Sequence, residues 1–257
     1  MNLVVTPPEG ALPTLDILGV AVAELDRDQA IRLLSERITA PDLTRVAFVN
    51  AHCVNTACVD PAYREALGHF IVLADGVGVD FAASELHGRP FPANLNGTDF
   101  VPDLVAAIAA PARIALLGAR SDRLDHAASA LRAIAPRHAV RIVRDGYFSE
   151  DDIPSILADL AADRPDLLLI AMGVPRQELF IAGRLTASHC SVAMGVGALF
   201  DFLSGAVPRA PDFMRRHRLE WLFRLALEPA RLWRRYVIGN PVFMARVLAR
   251  KWALRRR

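Results

Sequence analysis

Two hydrophobic periods alternate along the chain up to about residue 200. Short, nearly continuous apolar runs at 17–22, 45–50, 70–74, 113–117, 140–143, 166–172 and 190–194 have the length and composition of buried strands. The stretches between them space apolar residues three and four apart, as Ile31, Leu33, Leu34 and Ile38 do, and predict helices at 29–38, 53–67, 100–109, 122–135, 176–185 and one ending near Ala162. Cap signals sharpen several boundaries. Asp26 and Asp28 precede the first helix, Thr98 or Asp99 can cap the third with Pro102 in its first turn, and Ser149 with Asp152 resembles a capping box. Residues 1–13 read as a loose lead-in and 87–97, rich in Gly, Pro and Asn, as a loop. The alternation predicts an α/β fold with a Rossmann-like, mainly parallel sheet flanked by helices.

From Arg209 the pattern changes. Helical stretches at 219–227, 232–238 and 242–252 interleave Arg with Trp, Phe, Leu and Val, and all three tryptophans lie there. This divides the chain into an α/β domain, 1–206, and a basic helical appendage, 207–257. The net charge of +2 hides the asymmetry: 207–257 carries thirteen Arg and one Lys against three acidic residues, a surplus of eleven, which leaves 1–206 with a deficit of nine. Arginine on one face with Trp and Leu on another describes a helix in an anionic membrane interface, although such a helix can also pack on its own domain. A nucleic-acid partner fits less well, because base-stacking sites interleave Tyr or Phe with Lys on a sheet. No run approaches eighteen apolar residues and no secretory signal is recognisable, so the expected location is cytoplasmic, peripheral on the inner face of the membrane. Three cysteines, Cys53, Cys58 and Cys190, sit in apolar contexts and read as reduced thiols.

Candidate chemistry centres on Leu73-Ala74-Asp75-Gly76-Val77-Gly78-Val79. Taken alone it reads most readily as a turn capped by Asp75. In an α/β sheet, however, Asp75 emerges at a strand's carboxyl end, where such sheets bind ligands. Other predicted strands end in glycine, at Gly118, Gly173 and Gly195-Val196-Gly197, and amides at such turns can receive a diphosphate. Neither the dinucleotide fingerprint nor a P-loop is present, so a nucleotide other than NAD or ATP fits best. Asp26-Arg27-Asp28 matches an acidic metal motif, but its place before a helix favours capping. His52, Cys53 and Cys58 have no second ligand pair, and no metal site is expected.

Read together, Phe48-Val49-Asn50-Ala51-His52, Ala74-Asp75-Gly76-Val77-Gly78-Val79, Leu95-Asn96-Gly97-Thr98-Asp99, Met172-Gly173-Val174-Pro175-Arg176-Gln177-Glu178, Gly195-Val196-Gly197-Ala198-Leu199-Phe200-Asp201, Arg209-Ala210-Pro211 and Leu219-Glu220-Trp221 through Glu228-Pro229 to Arg235-Tyr236 resemble, in order, the WecG/TagA/CpsF glycosyltransferases. The resemblance spans nearly all of the chain after Leu15. It implies inverting transfer of a sugar from a nucleotide diphosphate donor, usually a UDP-sugar, to a polyprenyl-diphosphate-linked sugar, without a required metal or other cofactor. Asp75 matches the family's proposed general base. Asn50, Tyr147, Gly173, Gln177, Gly195 and Asp201 match positions around the nucleotide and sugar, and the motifs add Asn96, Gly97, Asp99, Glu178 and Arg209. Arg224, Arg231 and Arg234 match basic residues thought to hold diphosphate. Many relatives carry Thr where Phe48 stands, which leaves N-acetylmannosamine, glucose, mannose and uronic acid donors open. The acceptor, its linkage and a homo-oligomeric state are also open. A nucleotide-sugar oxidoreductase and a non-catalytic membrane scaffold are the other classes considered.

Overall fold

The computed structural model describes residues 12–211, 213–214 and 219–256, so most of the lead-in segment lies outside the described residues. Six strands, β3 (Thr44–Val49), β4 (Ile71–Ala74), β5 (Arg113–Gly118), β6 (Ala139–Arg144), β7 (Leu167–Ala171) and β8 (Val192–Gly195), form one sheet in the order β4-β3-β8-β7-β5-β6. Every pairing is parallel. The central strands carry apolar residues on both faces because both are covered. Ile114 and Leu116 of β5 pack on one side with Phe100 and Leu104 of α5 (Gly97–Ala107), while Ala115 and Leu117 pack on the other with Ile156 of α7 (Ile153–Asp163) and Phe180 of α8 (Arg176–Arg184).

The first predicted strand is instead a hairpin. β1 (Thr14–Ile17) and β2 (Val20–Ala23) pair antiparallel around Leu18-Gly19, both at positive φ (55° and 92°), as a two-residue hairpin turn requires. α1 (Arg27–Ile38) follows a true capping box: Asp26 accepts from the Gln29 N–H at 2.8 Å and Gln29 returns the bond to the Asp26 N–H at 2.9 Å. The helix predicted at 53–67 is two, α2 (Ala51–Val59) and α3 (Pro61–Leu67), because Pro61 cannot continue the ladder and Asp60 caps the new start. The α5 cap is Asn96, whose side chain receives the Asp99 N–H at 3.0 Å, so Pro102 falls beyond the first turn. The Thr98 carbonyl that Pro102 cannot serve is taken by Arg209, at 2.7 Å.

The remaining helices of the α/β body are α4 (Val77–His87), α6 (Ser121–Ile134) and α9 (Leu199–Leu203). The appendage comprises α10 (Glu220–Leu227), α11 (Pro229–Trp233), a π turn (Arg234–Ile238) and α12 (Gly239–Arg255). α12 returns to the body and packs on α2 and α4. Phe243 and Val247 are buried with Val49, Val54, Ala74 and Val79, and a Cβ at Gly78 would stand 3.0 Å from the Ala51 Cβ. The boundary near residue 206 therefore marks a change of pattern but does not divide the core. Among the described residues no helix is long and apolar enough to cross a membrane.

Candidate active site

The parallel strands all deliver their carboxyl ends to one edge of the sheet, and the candidate residues gather there. Asp75 directly follows β4. Its N–H continues the ladder to Val49 O at 3.0 Å, and the next N–H, of Gly76, is held by the Asn94 side chain at 2.7 Å. Gly76 adopts φ 92°, a conformation that lets the chain turn at once into α4. Asn50 ends β3 and caps α2: its Oδ1 receives the N–H groups of His52 and Cys53 at 3.1 and 3.4 Å, which leaves Nδ2 to donate to Asp75 Oδ2 at 3.2 Å. Asp75 Oδ1 makes no hydrogen bond among the described residues. Burial pushes the Asp75 carboxyl above the ordinary range; the Asn50 amide and the charges of Arg235 and Arg224 pull it back, and Asp99 adds to the rise. A shielded carboxylate of raised basicity, oriented through one oxygen and open at the other, is suited to accept a proton.

Beside it, Asn96 also donates to Asp99 Oδ2 at 3.0 Å, and Arg209 joins Asp99 Oδ1 at 2.5 Å. Arg209 thus serves both the Thr98 carbonyl and the Asp99 carboxylate, and it fixes the start of α5 against the site. Gly97 admits the Phe48 ring, 3.1 Å from where a Cβ would stand, and Phe48 lies in the core against Phe100. Phe48 therefore faces α5.

At the β7 and β8 ends the glycine turns are internally bonded. Gln177 Oε1 receives the N–H groups of Gly173 and Gly197 at 3.1 and 3.2 Å, and its Nε2 donates to Glu178 Oε1 at 2.7 Å. A Cβ at Gly195 would stand 2.8 Å from Gln177 Nε2. Gln177 and Glu178 are 2% and 0% exposed, so they brace this edge from beneath. Ala171 O, at the end of β7, likewise receives the Ala119 N–H at 2.7 Å. The amides of Gly173, Gly197 and Ala119 are thus engaged within the protein. Burial holds the Glu178 carboxyl up at about 7. Tyr147 stands 77% exposed in the loop after β6, a loop tied to α8 by Arg176, which donates to Gly146 O at 3.0 Å and lies over the Phe148 ring. Asp201 is half-buried on α9, beyond β8.

The arginines of the appendage sit in different surroundings. Arg224 lies over the Phe202 ring at 5.0 Å, and its charge reaches Asp75. Arg231 pairs with Glu228 at 3.2 Å, and Arg234 lies over Trp233 at 5.4 Å; both are exposed, and neither is among the charges acting on Asp75. The charge of Arg235 does act on Asp75. Sequence motifs could not have separated Arg234 from Arg235, because the π turn widens the helix there and shifts which side chain faces inward. Asn94 is a further site neighbour without a motif signal, and Glu220, which the motifs include but do not single out, is another; burial and Asp99 raise the Glu220 carboxyl. Asp26 is engaged as a helix cap, and burial pushes the thiols of Cys53 and Cys190 up to about 11 and about 12, which keeps them protonated.

Known proteins resemble this chain along most of its length. The family model described as Glycosyl transferase WecG/TagA/CpsF family matches residues 15–257. The chain is 33% identical over 194 residues to an N-acetylglucosaminyldiphosphoundecaprenol N-acetyl-beta-D-mannosaminyltransferase of Bacillus spizizenii, covering 75% of this chain and 74% of that one. It is 31% identical to a protein of the same name from Bacillus subtilis, covering 79% and 78%, and 28% identical to one from Staphylococcus aureus, covering 92% and 93%. With an acidic residue at the end of β4, a parallel sheet behind it and a family match that extends through the appendage, this chain belongs to the WecG/TagA/CpsF family of glycosyltransferases.

Proposed function

We propose that the protein moves a sugar, with inversion, from a nucleoside diphosphate donor, a UDP-sugar, to a polyprenyl-diphosphate-linked acceptor sugar in surface polysaccharide synthesis. The observation that carries this reading is Asp75: shielded, held by Asn50 through Oδ2 and open at Oδ1. In the step, an acceptor hydroxyl passes its proton to Asp75 while its oxygen bonds the anomeric carbon. The bond from that carbon to the donor diphosphate breaks, and the electron pair leaves with the nucleoside diphosphate. A positioned base of this kind contributes about 10²–10⁴-fold. Guanidinium groups stabilise the leaving diphosphate, so no divalent metal is required. The names of the relatives support N-acetylglucosaminyl diphosphoundecaprenol as the acceptor class and N-acetylmannosamine as the first donor to test.

The same reading places the protein peripherally on the inner face of the cytoplasmic membrane. α12 has two apolar faces: Phe243 and Val247 enter the core, while Met244, Leu248 and Trp252 repeat every fourth residue on its exposed side. Arg250 and Arg255 stand exposed on the same helix, a combination suited to an anionic interface.

The test is transfer from a panel of UDP-sugars to a lipid-linked N-acetylglucosamine, read by product mass and anomeric configuration, with and without EDTA. Product of inverted configuration, insensitive to EDTA and lost in Asp75→Asn while donor affinity persists, is expected. Wild-type turnover in Asp75→Asn would remove the base, and a rate restored only by Mg²⁺ would remove the metal-free step.

A further inference from the structure

Two polar atoms, Glu178 Oε2 and the Tyr63 hydroxyl, are buried without a hydrogen-bond partner among the described residues, on side chains that are both 0% exposed. Folded proteins leave few such atoms unpaired, and a buried water commonly completes the ones that remain.

The packing brings the two residues together. Tyr63 stands on α3, which packs on α8, the helix that carries Glu178. The Glu178 carboxyl is among the charges acting on Tyr63 and on Cys53, and the Tyr63 hydroxyl lies by the Cys53 thiol without a well-aligned bond to it. Burial raises both the hydroxyl and the thiol, so each keeps its proton and can donate it. Cys53 Sγ in turn approaches Asn50 Oδ1 at 3.5 Å, and Asn50 holds Asp75. On the other side, Glu178 Oε1 accepts from Gln177 Nε2 at 2.7 Å, which turns Gln177 Oε1 toward the N–H groups of Gly173 and Gly197. A side-chain amide has an accepting end and a donating end, and a half-turn of Gln177 would set its NH₂ against those two donors.

We propose that Glu178 is a positioning residue that joins the two halves of the site: it fixes the amide of Gln177, and with it the turns after β7 and β8, and it shares a buried water with Tyr63 beside Cys53 and Asn50. Glu178 is fully buried and acts only through these contacts. Its effect falls on the nucleotide donor, because the turns it holds stand at the carboxyl ends of central strands, where a parallel sheet binds its ligand. This inference rests on the glycosyltransferase reading above.

The test compares full-length wild type with Glu178→Leu, Glu178→Gln, Tyr63→Phe and the double variant Glu178→Leu with Tyr63→Phe. Each is assayed for transfer, for calorimetric affinity toward UDP and for denaturant unfolding, at a temperature where it is folded. Glu178→Leu raises the donor KM and the UDP Kd by about tenfold, the effect of leaving a buried amide donor unpaired, while kcat changes by under about threefold. Glu178→Gln restores most of the affinity, since its carbonyl can still accept from Gln177. Tyr63→Phe lowers stability, because its hydroxyl serves the water; loss of an unpaired hydroxyl would leave stability unchanged or raise it. The double variant binds UDP no worse than Glu178→Leu alone, as expected of two side chains acting through one water. Wild-type KM and Kd in Glu178→Leu, equal losses in Glu178→Leu and Glu178→Gln, or a fall in kcat at unchanged KM overturns the positioning role. Tyr63→Phe at or above wild-type stability, or losses that add in the double variant, overturns the shared water, and the Tyr63→Phe measurement stands even if Glu178→Leu does not fold. A wild-type protein that neither binds UDP nor transfers a sugar defeats the glycosyltransferase reading and this inference with it; wild-type transfer beside an unaffected Glu178→Leu defeats this inference alone.

Discussion

At the scale of single residues, the site works by holding carboxyl groups away from their ordinary proton affinity. Asp75 is raised by burial and lowered by the Asn50 amide, so with Asp75 as the proposed base transfer is expected to increase with pH as the carboxylate forms, with an acid limb above that of an exposed aspartate. Asn50→Ala removes a bond to the anion and is expected to move that limb to still higher pH, read from kcat/KM profiles. The same change removes the α2 cap and costs roughly 0.5–2 kcal/mol in denaturant unfolding. Glu178 gives a second, independent signal. Its folded value of about 7 lies above the 4.5 of a free side chain, so the native state binds the proton more tightly than the unfolded chain. The associated stability is complete below pH 4.5 and is lost as pH rises to about 7, a change on the order of 3 kcal/mol. Glu178→Gln mimics the protonated group and can still accept from Gln177. Its unfolding free energy should lack this fall between pH 5 and 8; an undiminished slope would place the titrating group elsewhere.

At the scale of elements, the decisive contacts join segments far apart in the chain. Arg209 repairs the carbonyl that Pro102 strands in α5, and Gln177 ties the turns after β7 and β8. α12 is the largest instance, because its inner face completes the cluster beneath Asp75. Phe243→Ala is expected to destabilise the whole α/β body by about 3–5 kcal/mol, measured by denaturant titration, as for any fully buried aromatic. A loss confined to the appendage, with the sheet's unfolding midpoint unchanged, would show that α12 is docked without supporting the core.

For the molecule as a whole, the same helix is where the proposed membrane attachment is tested. The paired variant Leu248→Ser and Trp252→Ser touches only the exposed face, where these side chains are 40% and 65% accessible. It is expected to retain folding and to weaken binding to anionic vesicles by about tenfold or more, the effect of losing two buried apolar side chains. Raising salt should release the wild-type protein only in part, since screening acts on the arginine term and leaves the apolar term intact. Full release by salt alone would reduce the attachment to charge. Sedimentation with vesicles reads both outcomes.

Local pattern by itself determined the alternation of strands and helices, the parallel sheet, the placement of Asp75 at a strand's carboxyl end, the helix cap at Asp26 and the capping box at Ser149. These follow from side chains a few residues apart, for which period and turn chemistry are sufficient. Leu18-Gly19 and Pro61 carried legible breaks in two predicted elements, but their apolar surroundings masked them. Only the tertiary structure decided that the glycine turns bond to Gln177, that Phe48 faces α5, that α12 enters the core, and that the charge of Arg235 acts on Asp75. Each of those outcomes depends on partners distant in sequence, as with Asn55 and Gly239, 184 positions apart, or on a single π turn that rotates a helix face. Hydrophobic period states that a side chain is buried or exposed, and it is silent about which distant group completes its hydrogen bonds.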